Sequence, residues 1–279
     1  MSVTNEKHAR KMLREIGDSV DDGFDLLTGA FYFAALNRPS IIFDEYTDHM
    51  SQLACAAATP SILRSMSAEN AARHLKELIA VKYCYTGDLE TYDDLQNADL
   101  FRVIDRRRGL PVALGIIYIH IGRRLGWKMR GLSFPGHFLV QLEIKGQRVI
   151  IDPFTDGRIL DPSDLRGMVK TISGFDRELR PHDYTPISDR AILLRLQNNV
   201  KFRHMQMRNG VAALKTVEEM LLIAPKMSDL WWDAAMLNAE MENLSAAYSA
   251  LENFIRSDES KINRLRAVTL MEQIKTRMN

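Results

Sequence analysis

The segment between Pro111 and Gly126 constrains this chain most. It holds the longest apolar run, Val112 to Ile121. Proline suits the first turn of a helix, the cations Arg123 and Arg124 suit the last, and glycine suits the position just past it. Between those ends Val112, Ala113, Leu114, Ile116, Ile117, Ile119 and Ile121 cover nearly every face. A helix that is apolar all round has no side to give to water, so the rest of its domain must surround it. The run is also far shorter than the roughly 20 residues needed to cross a bilayer. The fold is therefore expected to be built around this helix, with no membrane span.

Strand signals follow. Met129 to Phe134 leads through Pro135-Gly136 into His137-Phe138-Leu139-Val140-Gln141-Leu142-Glu143, and a Lys145-Gly146 turn leads into Arg148-Val149-Ile150-Ile151-Asp152. With Lys145-Gly146 as a two-residue hairpin loop, Ile144 pairs with Gln147 and Leu139 falls opposite Asp152. His137 and Asp152 are then diagonal neighbours on one face, roughly 7–8 Å apart at their alpha carbons, within reach of a hydrogen-bonded pair. Moving the turn by one residue puts them directly opposite, so the shared face survives either register. Past Phe154 come a turn, Thr155-Asp156-Gly157-Arg158, and a polar stretch that reads as irregular to about Ser188.

Upstream, residues 1–20 read as a polar leader, either helical or frayed, with no apolar core of a secretory signal. Leu26, Leu27, Phe31, Ala34 and Ala35 recur at helical steps until Pro39. Further helices are expected over Phe43–Ala57 and Ala68–Val81, with Thr59-Pro60 between them, and a loop or short helical turns from Thr86 to Asn97. From Asp189 onward the pattern is helical and repeats every 34 residues: Ala212 and Ala213 return as Ala246 and Ala247, Val217 as Leu251, Met220 as Phe254, and Leu221 as Ile255. That is the tetratricopeptide period. Two such units are fewer than the three or so that stand alone, so the tail is expected to pack on what precedes it. The resulting division is a helical region at 1–85, a core at 86–188 and repeats at 189–279.

Charge selects no polyanion. Lys and Arg number 37 against 36 Asp and Glu, which points to neither nucleic acid nor an anionic membrane. The two cysteines, Cys55 and Cys84, form neither a disulfide framework nor a C-x-x-C site, so a reducing cytoplasm is expected. The histidines show no H-x-x-x-H or H-E-x-x-H spacing, and neither G-x-x-x-x-G-K nor G-x-G-x-x-G occurs. No metal and no cofactor are expected.

One string gathers these features: Arg107-Arg108-Gly109-Leu110-Pro111, the buried helix, Leu125-Gly126, Pro135-Gly136-His137-Phe138, and Asp152-Pro153-Phe154. It resembles the transglutaminase-like, papain-related superfamily, and more narrowly the bacterial SirB family, which joins such a core to tetratricopeptide-like repeats. The resemblance is strong from Asn97 to Leu160 and weak before about residue 85. It implies an α+β fold, mostly helical, with a papain/transglutaminase-like core in which a buried helix packs on a small antiparallel sheet, and a C-terminal helical-repeat tail.

In active members of the superfamily a cysteine begins the core helix, a histidine on the next strand deprotonates it, and an aspartate on the following strand orients the histidine. A helix N-terminus and a neighbouring imidazolium both stabilise a thiolate. The resemblance places the histidine at His137, the aspartate at Asp152 and the nucleophile at about Pro111, between Leu110 and Val112. None of those three side chains can attack a carbonyl. It therefore implies a degenerate triad and a non-catalytic regulatory or protein-binding adaptor, with a protein partner taken by the repeats. The rival expectation is a hydrolase or transferase in which His137 and Asp152 act as general base without a protein nucleophile. A structural His–Asp contact, satisfied within a core, is the plainer reading of the same pair.

Arg107 and Arg108, ahead of the helix, are candidates for holding a carboxylate or phosphate. The plainer alternative is a basic turn paired with Asp93, Asp94, Asp99 or Asp105. Tyr118 on the core helix is a further binding candidate, with packing as its plainer role.

Overall fold

The computed structural model describes residues 3–38, 41–58, 66–174 and 176–278. The breaks expected at Pro39 and at Thr59-Pro60 lie outside the described residues. By internal contacts the chain forms two compact units. One comprises the chain up to Ala9 together with Asp21–Leu196, the other Arg10–Val20 with Gln197–Asn279.

The elements begin with β1 (Val3–Thr4), α1 (Glu6–Asp18), α2 (Leu26–Leu36), β2 (Ile41–Ile42), α3 (Phe43–Ala57) and α4 (Ala68–Lys76). Helix α4 runs on as a π-helical turn, Glu77–Lys82. Next come β3 (Thr86–Gly87), α5 (Leu100–Arg106), β4 (Arg108–Gly109) and the core helix α6 (Pro111–Arg124). Helix α6 starts at Pro111 and ends in Arg123 and Arg124, the ends its sequence dictates. Eleven of its residues are buried, on every side.

The sheet lies against that helix. Strands β5 (Lys128–Leu132), β6 (Leu139–Ile144), β7 (Gln147–Asp152), β8 (Arg158–Leu160) and β9 (Pro186–Ile187) form one antiparallel sheet in the order β8-β7-β6-β5-β9. Register follows the hairpin. Ile144 pairs with Gln147 and Val140 with Ile151 across a Lys145-Gly146 turn whose residues have φ of 50° and 80°, the two positive values that a two-residue hairpin favours. The helix approaches closely because it presents glycine. A β-carbon added at Gly115 would lie 2.3 Å from the Phe138 ring.

The described residues between Phe154 and Ser188, a stretch expected to be irregular, form regular elements instead. It contains β8, the helix α7 (Pro162–Ser173), a short 3-10 turn (Pro181–Tyr184) and β9. Asp161 caps α7 by accepting from the amides of Ser163 and Asp164, and the Asp164 side chain returns the bond to Asp161, with proline at the first position. The buried residues Leu165 and Val169 then join Leu132, Phe134, Leu139 and Leu160 in one cluster.

The second unit is helical: the end of α8 (Asp189–Gln206), then α9 (Gly210–Ile223), α10 (Ser228–Glu240), α11 (Leu244–Ser257) and α12 (Lys261–Met278). The 34-residue repeat in the sequence maps α9 onto α11. Ala213 and Ala247, Val217 and Leu251, and Met220 and Phe254 are all buried. The fold is thus mostly helical with a small antiparallel sheet and a helical-repeat tail. Among the described residues no helix is long and apolar enough to cross a membrane.

Candidate functional site

His137 stands just ahead of β6 and Asp152 ends β7, so one hairpin positions both. His137 Nε2 lies 2.9 Å from Asp152 Oδ1. The same oxygen accepts from the amides of Phe154 (3.0 Å) and Thr155 (3.4 Å), and Oδ2 accepts from the Thr155 hydroxyl at 2.8 Å. Burial works against the Asp152 charge, yet the His137 hydrogen bond and charge, with Thr155 and Phe154, prevail and hold its carboxyl below the ordinary range. An ionised Asp152 accepts, so Nε2 of His137 donates and the tautomer is set. That leaves Nδ1 without a hydrogen-bond partner among the described residues.

The surroundings of the imidazole come from several elements. The Phe154 ring meets it edge-on at 6.1 Å, and Tyr92 meets Phe154 edge-on at 5.7 Å. Gly136 has φ of +62° beneath Ile172 of α7, where an added β-carbon would stand 2.7 Å from Ile172 Cγ2. Only glycine takes that backbone and that space without strain. Arg195 of α8 donates to the carbonyl oxygens of Phe134 (2.8 Å) and His137, and its guanidinium lies over the Phe138 ring at 5.7 Å. The turn that carries the imidazole is thereby held from both sides.

The start of α6 is apolar. Leu110 caps it with no side-chain hydrogen bond, and Leu110, Pro111 and Val112 are buried. Cys55 and Cys84 are free and exposed, and the Cys84 thiol donates to the Val81 carbonyl at 3.6 Å.

Tyr118 lies on the same helix, fully buried, with a hydroxyl that has no hydrogen-bond partner among the described residues. That hydroxyl abuts Gly157, where an added β-carbon would come within 2.5 Å of it. Burial, and then the charges of Asp156 and Asp152, push the phenol far above its ordinary range. Tyr118 therefore stays neutral behind the aspartate.

Arg107 and Arg108 have partners elsewhere. Arg107 has a left-handed backbone (φ 59°) and directs its guanidinium to His49 Nε2 at 2.5 Å and to the Tyr85 hydroxyl, 4.7 Å above the Tyr85 ring. Burial and then the Arg107 charge lower the His49 pKa, while burial pushes Tyr85 up to about 12 against the pull of Arg107. Arg108 is exposed and pairs with Glu90 at 3.0 Å. Arg106 binds Asp88 and Asn97. Of the aspartates named for the plainer reading of this basic turn, Asp99 pairs with Arg38 and Asp105 with Tyr46.

Sequence reasoning joined His137 to Asp152 but missed Tyr92, Ile172 and Arg195 around the imidazole. Phe154 could have been found, because it belongs to the Asp152-Pro153-Phe154 string. The others come from segments with no periodic link to the hairpin.

Residues 44–198 match the transglutaminase-like superfamily, and residues 200–275 match a tetratricopeptide repeat. A UPF0162 protein of Xylella fastidiosa (strain 9a5c) is 31% identical over 179 residues, 63% of each chain. Protein SirB1 of Salmonella typhimurium is 25% identical over 185 residues, 65% of this chain and 68% of SirB1. The chain thus spans less than two thirds of the length of the Xylella relative. The crystal structure of menin overlaps with a TM-score of 0.41 and 10% identity, over 94% of this chain and 74% of that one, too little to argue from.

Proposed function

The chain belongs to the transglutaminase-like superfamily, with homologues among the UPF0162 and SirB1 proteins, and on that premise we propose that it is a non-catalytic member acting as a protein-binding adaptor. The observation that carries this reading is the first turn of α6. Leu110, Pro111 and Val112 are buried there, at about the place where the resemblance to active members implies a thiol. A proline ring offers no nucleophile, and losing the nucleophile typically costs several orders of magnitude in rate. The repeat unit supports the binding role. Helix α12 leaves Ile262 and Leu265 at 74% and 68% exposure, apolar surface of the kind that marks partner sites. Two exposed free thiols fit the reducing cytoplasm of a cell.

The test is affinity purification of the tagged full-length protein with quantitative identification of what co-purifies. The same partner should be retained by His137→Ala and depleted by Ile262→Asp combined with Leu265→Asp. Loss with His137→Ala and retention with the α12 variant would overturn the tail-binding reading.

One observation favours the rival reading. The His137 side chain is 16% exposed, oriented by an ionised aspartate, with Nδ1 unengaged among the described residues. Such a group can take a proton from water directly. Turnover of an amide, ester or peptide library that disappears in His137→Ala would establish this hydrolase and displace the adaptor.

A further inference from the structure

Arg107 carries a charge that no carboxylate side chain of the protein neutralises. Every aspartate and glutamate lies among the described residues, and none of them pairs with its guanidinium. The residues on either side do pair, Arg106 with Asp88 at 2.5 Å and Arg108 with Glu90 at 3.0 Å. Arg107 is instead half-buried against two uncharged groups, His49 Nε2 at 2.5 Å and the Tyr85 hydroxyl, with the Tyr85 ring 4.7 Å from its guanidinium carbon. A guanidinium can only donate, so His49 Nε2 accepts, and the ring is neutral with its hydrogen on Nδ1. Both contacts use one nitrogen, Nη1. Nε and Nη2 have no partner among the described residues, and neither is sealed from solvent. The backbone here is left-handed, φ 59° and ψ 21°, a conformation that a residue with a β-carbon adopts at a cost.

The other groups around His49 leave that cation uncompensated. Tyr83 meets the imidazole edge-on at 6.2 Å and lies under the Lys82 ammonium at 5.7 Å. Asp48 on α3 and Glu77 on the π-helical turn are exposed, and Asp105 takes the Tyr46 hydroxyl at 3.4 Å. The core helix also packs on α3, with its own titratable groups engaged elsewhere: Tyr118 at Gly157, His120 with Asp25 at 3.8 Å and Arg123 with Asp189 at 2.5 Å, while Arg124 is exposed. A carboxylate ligand would balance Arg107 alone. A doubly charged oxyanion would balance Arg107 and a protonated His49 together.

We propose that Arg107 and His49 form a binding site for a phosphate group, free or as a monoester. Nε and Nη2 of Arg107 grip two of its oxygens, the bidentate geometry that a guanidinium offers to phosphate. Tyr85 holds the guanidinium in place from below. His49 takes a proton from solvent at Nε2 and donates it to the anion. In the empty site burial and the Arg107 charge hold the His49 pKa below its ordinary value. A bound dianion reverses the sign of the local charge, so binding and protonation favour each other. The site belongs to the unit that carries His137 and is independent of the adaptor reading.

The test is NMR of the full-length protein with isotope-labelled histidines, titrated with sulfate, which stays a dianion wherever histidine titrates. The His49 resonances should move saturably toward the imidazolium position, and its midpoint should rise by about one pH unit at saturation. Acetate at equal ionic strength should leave His49 unmoved. Inorganic phosphate and glycerol 3-phosphate should displace sulfate, and the stronger competitor distinguishes a free phosphate from an esterified one. Arg107→Gln should abolish the response. His49→Gln keeps a neutral acceptor for Arg107, so sulfate should still bind at the Arg107 Nε–H, with an affinity that no longer rises as pH falls. That variant carries the test should Arg107→Gln fail to fold.

No saturable change at His49, or an equal response to acetate, overturns the proposal. So does a sulfate affinity in His49→Gln that rises at low pH as steeply as in the wild type. Failure of both phosphates to displace sulfate also overturns it, since the contacts of Arg107 would then be no more than a clamp between α3 and the turn after α5.

Discussion

At the scale of single residues, Asp152 is where sequence, stability and site meet. The residue is 4% exposed, and its carboxylate satisfies His137, two backbone amides and the Thr155 hydroxyl. Replacing it with alanine strands several buried donors at once, so Asp152→Ala should cost about 3 kcal/mol in chemical denaturation. Its pKa also predicts a pH dependence. A carboxyl held below its unfolded value, about 3.9, stabilises the fold above that pH and stops doing so as pH falls through the folded value. The stability gap between the wild type and Asp152→Asn should therefore hold steady from neutrality to about 4 and narrow as pH falls further, through the folded value. A constant gap would mean that the carboxylate charge contributes nothing. The His137–Asp152 contact was legible because a two-residue loop fixes register and alternation fixes the face. The Arg107 contacts were not. His49 and Tyr85 are 58 and 22 residues away in sequence, on elements that no local pattern ties to that turn.

At the scale of elements, the core helix and its hairpin were legible for the same reason that α7 was not. Helix α6 announces itself by composition, apolar on every side between a proline and two arginines. Helix α7 buries only Leu165 and Val169, one four-residue step that cannot be told from chance among polar neighbours. Its signal lay at the start, in Asp161-Pro162-Ser163-Asp164, an aspartate cap followed by proline at the first position. If that cap defines the helix, Asp161→Ala should destabilise the protein by about 1 kcal/mol. Hydrogen exchange should rise first at the amides of Ser163 and Asp164, which Asp161 now holds at 2.7 and 2.9 Å. Unchanged exchange there would show that burial of Leu165 and Val169 alone sets the start of α7. The consequence would reach the site, because Ile172 near the end of α7 covers Gly136, the residue before His137.

At the scale of the molecule, the second unit takes in Arg10–Val20 as well as Gln197–Asn279. The N-terminal stretch reads as a polar leader because its buried positions, Leu13 and Ile16, are few among many charges. It is nonetheless part of the helical array. Gly17 lies so close to α9 that a β-carbon would come within 2.3 Å of the Leu222 carbonyl oxygen, and Arg10 reaches Glu219 at 3.8 Å. Two repeats are too few to bury a continuous core by themselves, and a helix from the opposite end of the chain supplies a further packing surface. A fragment of residues 197–279 should therefore be less helical and melt lower than the same segment within the full protein. Adding a peptide of residues 6–20 should raise both its helicity by circular dichroism and its melting temperature, in proportion to peptide occupancy. A peptide carrying Leu13→Asp should do neither, since a charge there cannot replace a side chain that the intact protein buries completely. Should the fragment melt at the same temperature with and without the peptide, the repeats would be self-sufficient and the N-terminal helix a passenger on them.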